Sequence, residues 1–125
     1  MTPEVVAAID EIRALFSDSV VGSEEDGEGG AYVTVTGLDI GPHYEPAIAS
    51  CGFRIMFQYP RADVYPHYIL GGVKRRGGQS CQGVQQVTWR QQEALQLSRR
   101  SNKLNPATDT AALKLVKVLE WFRNL

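Results

Sequence analysis

The sequence predicts an α+β domain in which helices cover one side of an antiparallel sheet. Three observations favour this fold class: an apolar stripe of helical spacing near the start, alternating segments in the middle, and a second helical stripe at the end. The chain has 125 residues, of which 43% are hydrophobic and 22% charged. This length and composition are typical of one globular domain, which we place at residues 1–125.

Both predicted helices begin with a capping residue followed by proline. Thr2-Pro3 starts the first helix, which we expect to end near Ser17. Its apolar stripe consists of Val5, Ile9, Ile12 and Phe16. Asn105-Pro106 predicts the start of the second helix, which ends near Asn124. Its apolar stripe consists of Leu115, Val118, Leu119 and Phe122.

Alternating apolar and polar residues predict strands between the helices. Tyr32–Thr36 is the first, and Cys51–Phe57 is the clearest because every second residue is apolar. This alternation places Cys51 on the buried face, where it would act as a small hydrophobic residue. Tyr59-Pro60 ends the strand, and Val64–Leu70 continues as an extended segment.

Three further segments have weaker patterns. The acidic, glycine-containing stretch Ser23–Gly30 predicts a loop. Gly71–Gln82 is basic and glycine-rich and predicts an irregular crossing. Gln86–Leu97 is compatible with a helix, which would lie between this crossing and the closing helix.

The charge is balanced overall, with 13 basic and 14 acidic residues, but it is strongly polarised along the chain. Residues 1–60 include ten acidic and two basic residues, whereas residues 61–125 include four acidic and eleven basic residues. We expect partners to contact the basic half. Nucleic-acid binding is disfavoured because Lys74–Lys103 contains one aromatic residue, Trp89, and so offers no base-stacking platform.

Several classes of protein are excluded by the sequence. No apolar run is long enough to span a membrane, and the first residues do not have the pattern of a secretory signal. Two cysteines are too few for a disulfide scaffold, so we expect a cytoplasmic protein with reduced thiols. His43 and His67 show no metal-ligand spacing with the cysteines, and no phosphate-binding glycine loop is present. We therefore expect no metal and no cofactor.

Two short motifs carry a resemblance to a known family. Phe57-Gln58-Tyr59-Pro60 is followed by Arg61-Ala62-Asp63-Val64-Tyr65-Pro66, and Cys81 precedes Trp89 by eight residues. With the order of elements, these residues resemble the ubiquitin-conjugating enzyme (E2) and RWD superfamily. The resemblance implies a UBC/RWD-like fold with an N-terminal helix, an antiparallel β-meander and a C-terminal helix packed on one face. Tyr59 would pack its ring while its hydroxyl reaches the backbone.

The resemblance implies an E2-like carrier that accepts a ubiquitin-like protein as a thioester on Cys81. An E1-like enzyme would supply this protein, which the carrier would pass to a target protein. Glycines flank Cys81, and the neighbouring positive charge would favour its thiolate. Supporting residues could be Trp89, His67 and Asn102. Partner-binding residues would be Lys74, Arg75, Arg76, Arg99 and Arg100, although Arg99 and Arg100 could equally lie in a solvated loop.

The chain departs from this family at one motif. E2 enzymes usually have a His-Pro-Asn tripeptide upstream of the cysteine, whereas this chain has Gly71-Gly72-Val73 there. E2-like proteins without the tripeptide occur in bacterial operons for ubiquitin-like conjugation, and this chain is most similar to that group. The departure also favours an alternative, a catalytically inactive RWD or E2-variant adaptor that binds protein partners.

Overall fold

Two helices and eight strands follow one another in the computed structural model, which describes all 125 residues. The helices are α1 (Pro3–Leu15) and α2 (Ala111–Arg123), and neither is long and apolar enough to cross a membrane. The strands are β1 (Val21–Glu25), β2 (Ala31–Asp39), β3 (Tyr44–Glu45), β4 (Ile48–Ile55), β5 (His67–Leu70), β6 (Lys74–Arg75), β7 (Val84–Trp89) and β8 (Gln92–Leu97).

Six strands form one antiparallel sheet in the order β1-β2-β4-β5-β8-β7, and β3 pairs with β6 separately. One face of the sheet is buried, because Val33 lies opposite Phe53 and Ile69 lies opposite Leu95 in the register. Both helices pack on this face and contribute to one cluster of 24 buried residues. The predicted α+β class, with helices on one side of an antiparallel sheet, is confirmed at this level.

The predicted start of α1 is confirmed, but that of α2 is wrong. Thr2 caps α1 by accepting a hydrogen bond of 3.1 Å from the N–H of Val5. The cap of α2 is Thr110, whose hydroxyl accepts a hydrogen bond of 3.2 Å from the N–H of Leu113. Asn105 instead closes a turn, since its side chain accepts from the N–H of Ala107. A capping residue before proline therefore marks a turn at this position.

The helix predicted over Gln86–Leu97 is wrong, because this segment forms the hairpin of β7 and β8. The turn residues Arg90 and Gln91 have φ angles of 49° and 71°. Two-residue hairpin turns of this kind normally use Asn or Gly, which adopt positive φ easily. The usual sequence signal is absent here, which is why the hairpin was missed.

Two other predicted boundaries differ from those in the structure. The strand expected over Cys51–Phe57 ends at Ile55, and a turn begins there because Tyr59 N–H bonds to the carbonyl of Met56. Phe57 therefore leaves the buried face and is 51% exposed. The loop expected over Ser23–Gly30 begins inside β1, which pairs with β2 up to Glu25.

Candidate functional site

Cys81 lines a groove of about 410 Å³ between the loop that follows β6, the β7–β8 hairpin and the end of α2. Its thiol is free and half-buried. The glycine-rich loop 77–83 forms one wall through residues 78–81, and the basic residues Lys74 and Arg75 of β6 line the same groove. Cys81, Lys74 and Arg75 therefore line the same groove.

The floor of the groove is aromatic and held by hydrogen bonds. Tyr44 stacks on Phe122 with ring centroids 4.0 Å apart, and its hydroxyl donates a hydrogen bond of 2.8 Å to the carbonyl of Phe122. Arg75 donates from Nη1 to the Tyr44 hydroxyl at 3.2 Å and from Nη2 to the carbonyl of Leu125 at 2.7 Å. Burial raises the pKa of Tyr44, an effect that Arg75 opposes.

The loop around Cys81 depends on residues with positive φ. Gly77, Gly78 and Gly83 have φ angles of 85°, 70° and 83°, which L side chains rarely adopt. Cys81 itself lies in a turn, since its carbonyl accepts a hydrogen bond of 3.2 Å from the N–H of Val84. The glycines thus bend the backbone around the thiol, while the turn fixes the residue that carries it.

The groove has no side-chain base next to the thiol. No histidine, aspartate or glutamate lies among its lining residues. A cysteine nucleophile acts as the thiolate, which nearby cations stabilise. Lys74 and Arg75 are the two charged residues that line this groove.

The five predicted partner-binding residues do not lie together. Arg76 turns away from the groove. It donates a hydrogen bond of 3.1 Å to the carbonyl of Pro42 and forms an ion pair with Glu45 at 3.7 Å. Arg99 and Arg100 line a separate depression, which also contains Asn102. Asn102 is therefore not among the groove residues that surround Cys81, where a supporting role was expected.

His67 is not placed to act as a base for Cys81. It is fully buried on β5, and the centroid of its ring lies 5.0 Å from that of Phe53. Neither ring nitrogen has a hydrogen-bond partner. Strand β8 separates β5 from the β7 residues that line the groove. Burial lowers the pKa of His67 to about 3, helped by Lys114 and opposed by Asp63. Its alternation with buried Ile69 was a signal that could have predicted this position.

Trp89 lies on the opposite face of the sheet from the groove. Val84 and Gln86 of β7 line the groove, and Trp89 is out of phase with them in a regular register. It stacks on Tyr68 at 4.7 Å and covers Gly52, where an added Cβ would lie 2.7 Å from Cη2 of the indole. Trp89 therefore packs against Tyr68 and Gly52 and is not among the residues that line the groove with Cys81, where a supporting role was expected.

The second cysteine has a structural role. Cys51 is fully buried on β4 and belongs to the core cluster, as predicted. Burial raises the pKa of its thiol to about 12. Both cysteines are free, so Cys81 is the thiol available for chemistry.

The aromatic floor was not predicted from the sequence. Tyr44 and Phe122 are 78 positions apart, and no local pattern links a tyrosine in a proline-flanked loop to a helix at the other end of the chain. Phe122 was assigned to an apolar helical stripe, which is correct, but its contact with Tyr44 follows only from the fold.

Comparison of the chain with protein-family models, curated proteins and solved structures finds no match. No three histidine, cysteine, aspartate or glutamate side chains come together in a cluster that could hold a metal ion.

Proposed function

We propose that the chain is an E2-like carrier that holds a ubiquitin-like protein as a thioester on Cys81. The observation that carries the proposal is the position of this half-buried free thiol in a groove with Lys74 and Arg75. An extended protein C-terminus requires a groove next to the nucleophile, and the space of about 410 Å³ beside Cys81 provides one. The order of elements and the Tyr59-Pro60 motif support the same assignment.

The proposed reaction has two acyl transfers. In the first, the Cys81 thiolate attacks the carbonyl carbon of the thioester on an E1-like enzyme. The bond between this carbon and the E1 sulfur breaks, the E1 thiolate takes up a proton, and the acyl group is now on Cys81. In the second, an unprotonated amine of a target lysine attacks the same carbon, loses a proton to solvent and releases Cys81 as a thiolate.

The negative charge that develops on the carbonyl oxygen needs donors, and the usual tripeptide is absent. At its place, Gly71 and Gly72 have no polar side chain and Val73 is buried. Lys74 and Arg75 follow directly and line the groove, so they are the charged donors available. We assign oxyanion stabilisation to these two side chains, together with N–H groups of the glycine-rich loop.

The alternative is a catalytically inactive adaptor with the same fold. The groove contains no acidic or histidine side chain that could deprotonate an incoming amine, and this observation favours the adaptor. The two functions differ in the reactivity of the thiol. A carrier forms an adduct on Cys81, whereas an adaptor binds partners without one.

Reconstitution tests the proposal directly. The chain is incubated with ATP, an E1-like enzyme and its ubiquitin-like protein. The proposal predicts an adduct that thiol reductants cleave, that Cys81→Ala abolishes and that Cys51→Ala retains. An adduct that persists in Cys81→Ala would refute the assignment of Cys81. Stable binding of the modifier with no adduct would favour the adaptor.

A further inference from the structure

A second depression, of about 260 Å³, lies between the loop that follows β8 and the exposed side of α2. Arg99, Arg100 and Asn102 line it from the loop, and Lys114 and Lys117 line it from the helix. Asp109 is its only acidic residue. Four cationic residues thus line one concave site, which is the arrangement expected for anion binding.

Three of these cations have no carboxylate partner. Arg99, Arg100 and Lys117 make no ion pair, whereas Arg54 and Arg90 elsewhere on the surface bind acidic residues. The fourth, Lys114, is neutralised by Asp63 at 3.1 Å. Because Asp109 also faces the depression, the remaining charge there is positive by about two units, which matches a phosphate monoester.

The two arginines are oriented before any ligand binds. The guanidinium carbon of Arg99 lies 5.0 Å from the centroid of the Trp121 ring, and that of Arg100 lies 4.7 Å from the centroid of Tyr65. A guanidinium stacked on an aromatic ring keeps the N–H groups at its edge free for an oxyanion. Stacking therefore reduces the conformational entropy that binding would cost.

The loop that carries the arginines is anchored to Asp63 and to α2 by hydrogen bonds. Ser101 donates from its hydroxyl to Asp63 at 2.8 Å and accepts from Lys114 Nζ, also at 2.8 Å. Lys114 is 9% exposed, so this network is largely shielded from solvent. The anchor ties Ser101, which follows the two arginines, to Lys114 of α2.

We propose that this depression binds the phosphate group of a small phosphorylated molecule, with Arg99, Arg100 and Lys117 as the charged donors and the Asn102 amide as a neutral one. The site is separate from the groove that contains Cys81. It does not depend on the proposed carrier function, and it can be measured on the isolated protein.

The test is a titration of the protein with inorganic phosphate at constant ionic strength, followed by amide NMR shifts. The proposal predicts saturable shifts confined to residues 99–102 and the exposed side of α2. Lys117→Gln, which removes one exposed side chain without disturbing a contact, should weaken binding about threefold to tenfold. Arg99→Gln with Arg100→Gln should abolish it.

Arg76→Gln with Arg123→Gln is the matched control, because it removes the same charge from parts of the surface outside both the depression and the groove. This variant should bind phosphate as the unmodified chain does. Equal weakening by both double variants, or shifts that do not saturate, would overturn the proposal. Tight, strongly salt-dependent binding of a single-stranded oligonucleotide without a saturable phosphate site would also overturn it and would indicate a nucleic-acid surface.

Discussion

The hydroxyl of Tyr59 accepts a hydrogen bond of 2.9 Å from the backbone N–H of Ala111, the first residue of α2. The two residues are 52 positions apart, so this bond joins the Tyr59-Pro60 motif to the start of the closing helix. Asp63, four residues after Tyr59, binds Lys114 of the same helix. The motif thus positions α2, whose last turn forms the floor of the groove beside Cys81.

Tyr59→Phe tests the first of these links. The substitution removes the hydroxyl and leaves the N–H of Ala111 without its partner, while the ring remains packed. We expect a loss of about 1 kcal/mol in the free energy of unfolding, measured by urea denaturation. Tyr65→Phe is the control, because the Tyr65 hydroxyl makes no hydrogen bond in the structure, and it should change stability little. Equal losses in the two variants would contradict the role of the Tyr59 hydroxyl.

Asp63→Asn tests the second link. Lys114 is largely buried, and without the carboxylate its charge lacks a compensating partner. We expect a loss of about 3 kcal/mol by chemical unfolding. The Asp18 side chain is exposed and makes no hydrogen bond or ion pair, so Asp18→Asn should lose less than about 0.5 kcal/mol. A similar effect of both changes would show that the ion pair does not stabilise the fold.

Buried His67 makes stability depend on pH. Its pKa is lowered from 6.5 to about 3 on folding, mainly by burial, so the unfolded chain binds a proton that the folded protein does not. Stability therefore falls as the pH drops below about 6.5 and levels off below about 3. From pH 7 to pH 5 this one group should reduce the free energy of unfolding by about 2 kcal/mol.

His67→Leu isolates this contribution. The variant keeps an apolar side chain on β5 but cannot take up the proton, so its stability should be nearly flat between pH 7 and pH 5. His43 is exposed, and His43→Gln should retain the pH dependence of the unmodified chain. A His67→Leu curve that runs parallel to the unmodified one would mean that another group causes the effect.

Gly52→Ala tests the packing on the outer face of the sheet. A Cβ at this position would overlap the indole of Trp89, which also stacks on Tyr68. We expect a displaced indole, a red shift of its fluorescence in a Trp121→Phe background, and a loss of about 1–3 kcal/mol. Gly22 on β1 has open space around its Cα, so Gly22→Ala should leave both quantities unchanged. An unshifted spectrum in Gly52→Ala would contradict this packing.

The parts of the fold with strong local signals were predicted from the sequence. The Thr2 cap and the apolar stripe of α1 were correct, and the alternation around Val33 and Phe53 gave the buried face of the sheet. The β7–β8 hairpin was not predicted, because its Arg90-Gln91 turn lacks the usual residues and its exposed face is rich in glutamine.

The candidate site was predicted only in part. Glycine neighbours correctly indicated that Cys81 lies in a loop, and its basic neighbours share its groove. The aromatic floor and the burial of His67 depend on contacts between distant segments, which local patterns do not encode. The network of Asp63, Ser101 and Lys114 was missed for the same reason, since its three members come from separate parts of the chain.

The central claim is that position 81 is a site of acyl transfer, and reaction with a short glycyl peptide thioester tests it most directly. The measurement is the intact mass over time for the unmodified chain, for Cys81→Ala, and for Cys81→Ala with Thr108→Cys, which moves the cysteine to an exposed loop outside the groove. We predict rapid, reductant-sensitive acylation at Cys81, none in Cys81→Ala, and about tenfold slower acylation at position 108. Equal rates at positions 81 and 108 would contradict the claim.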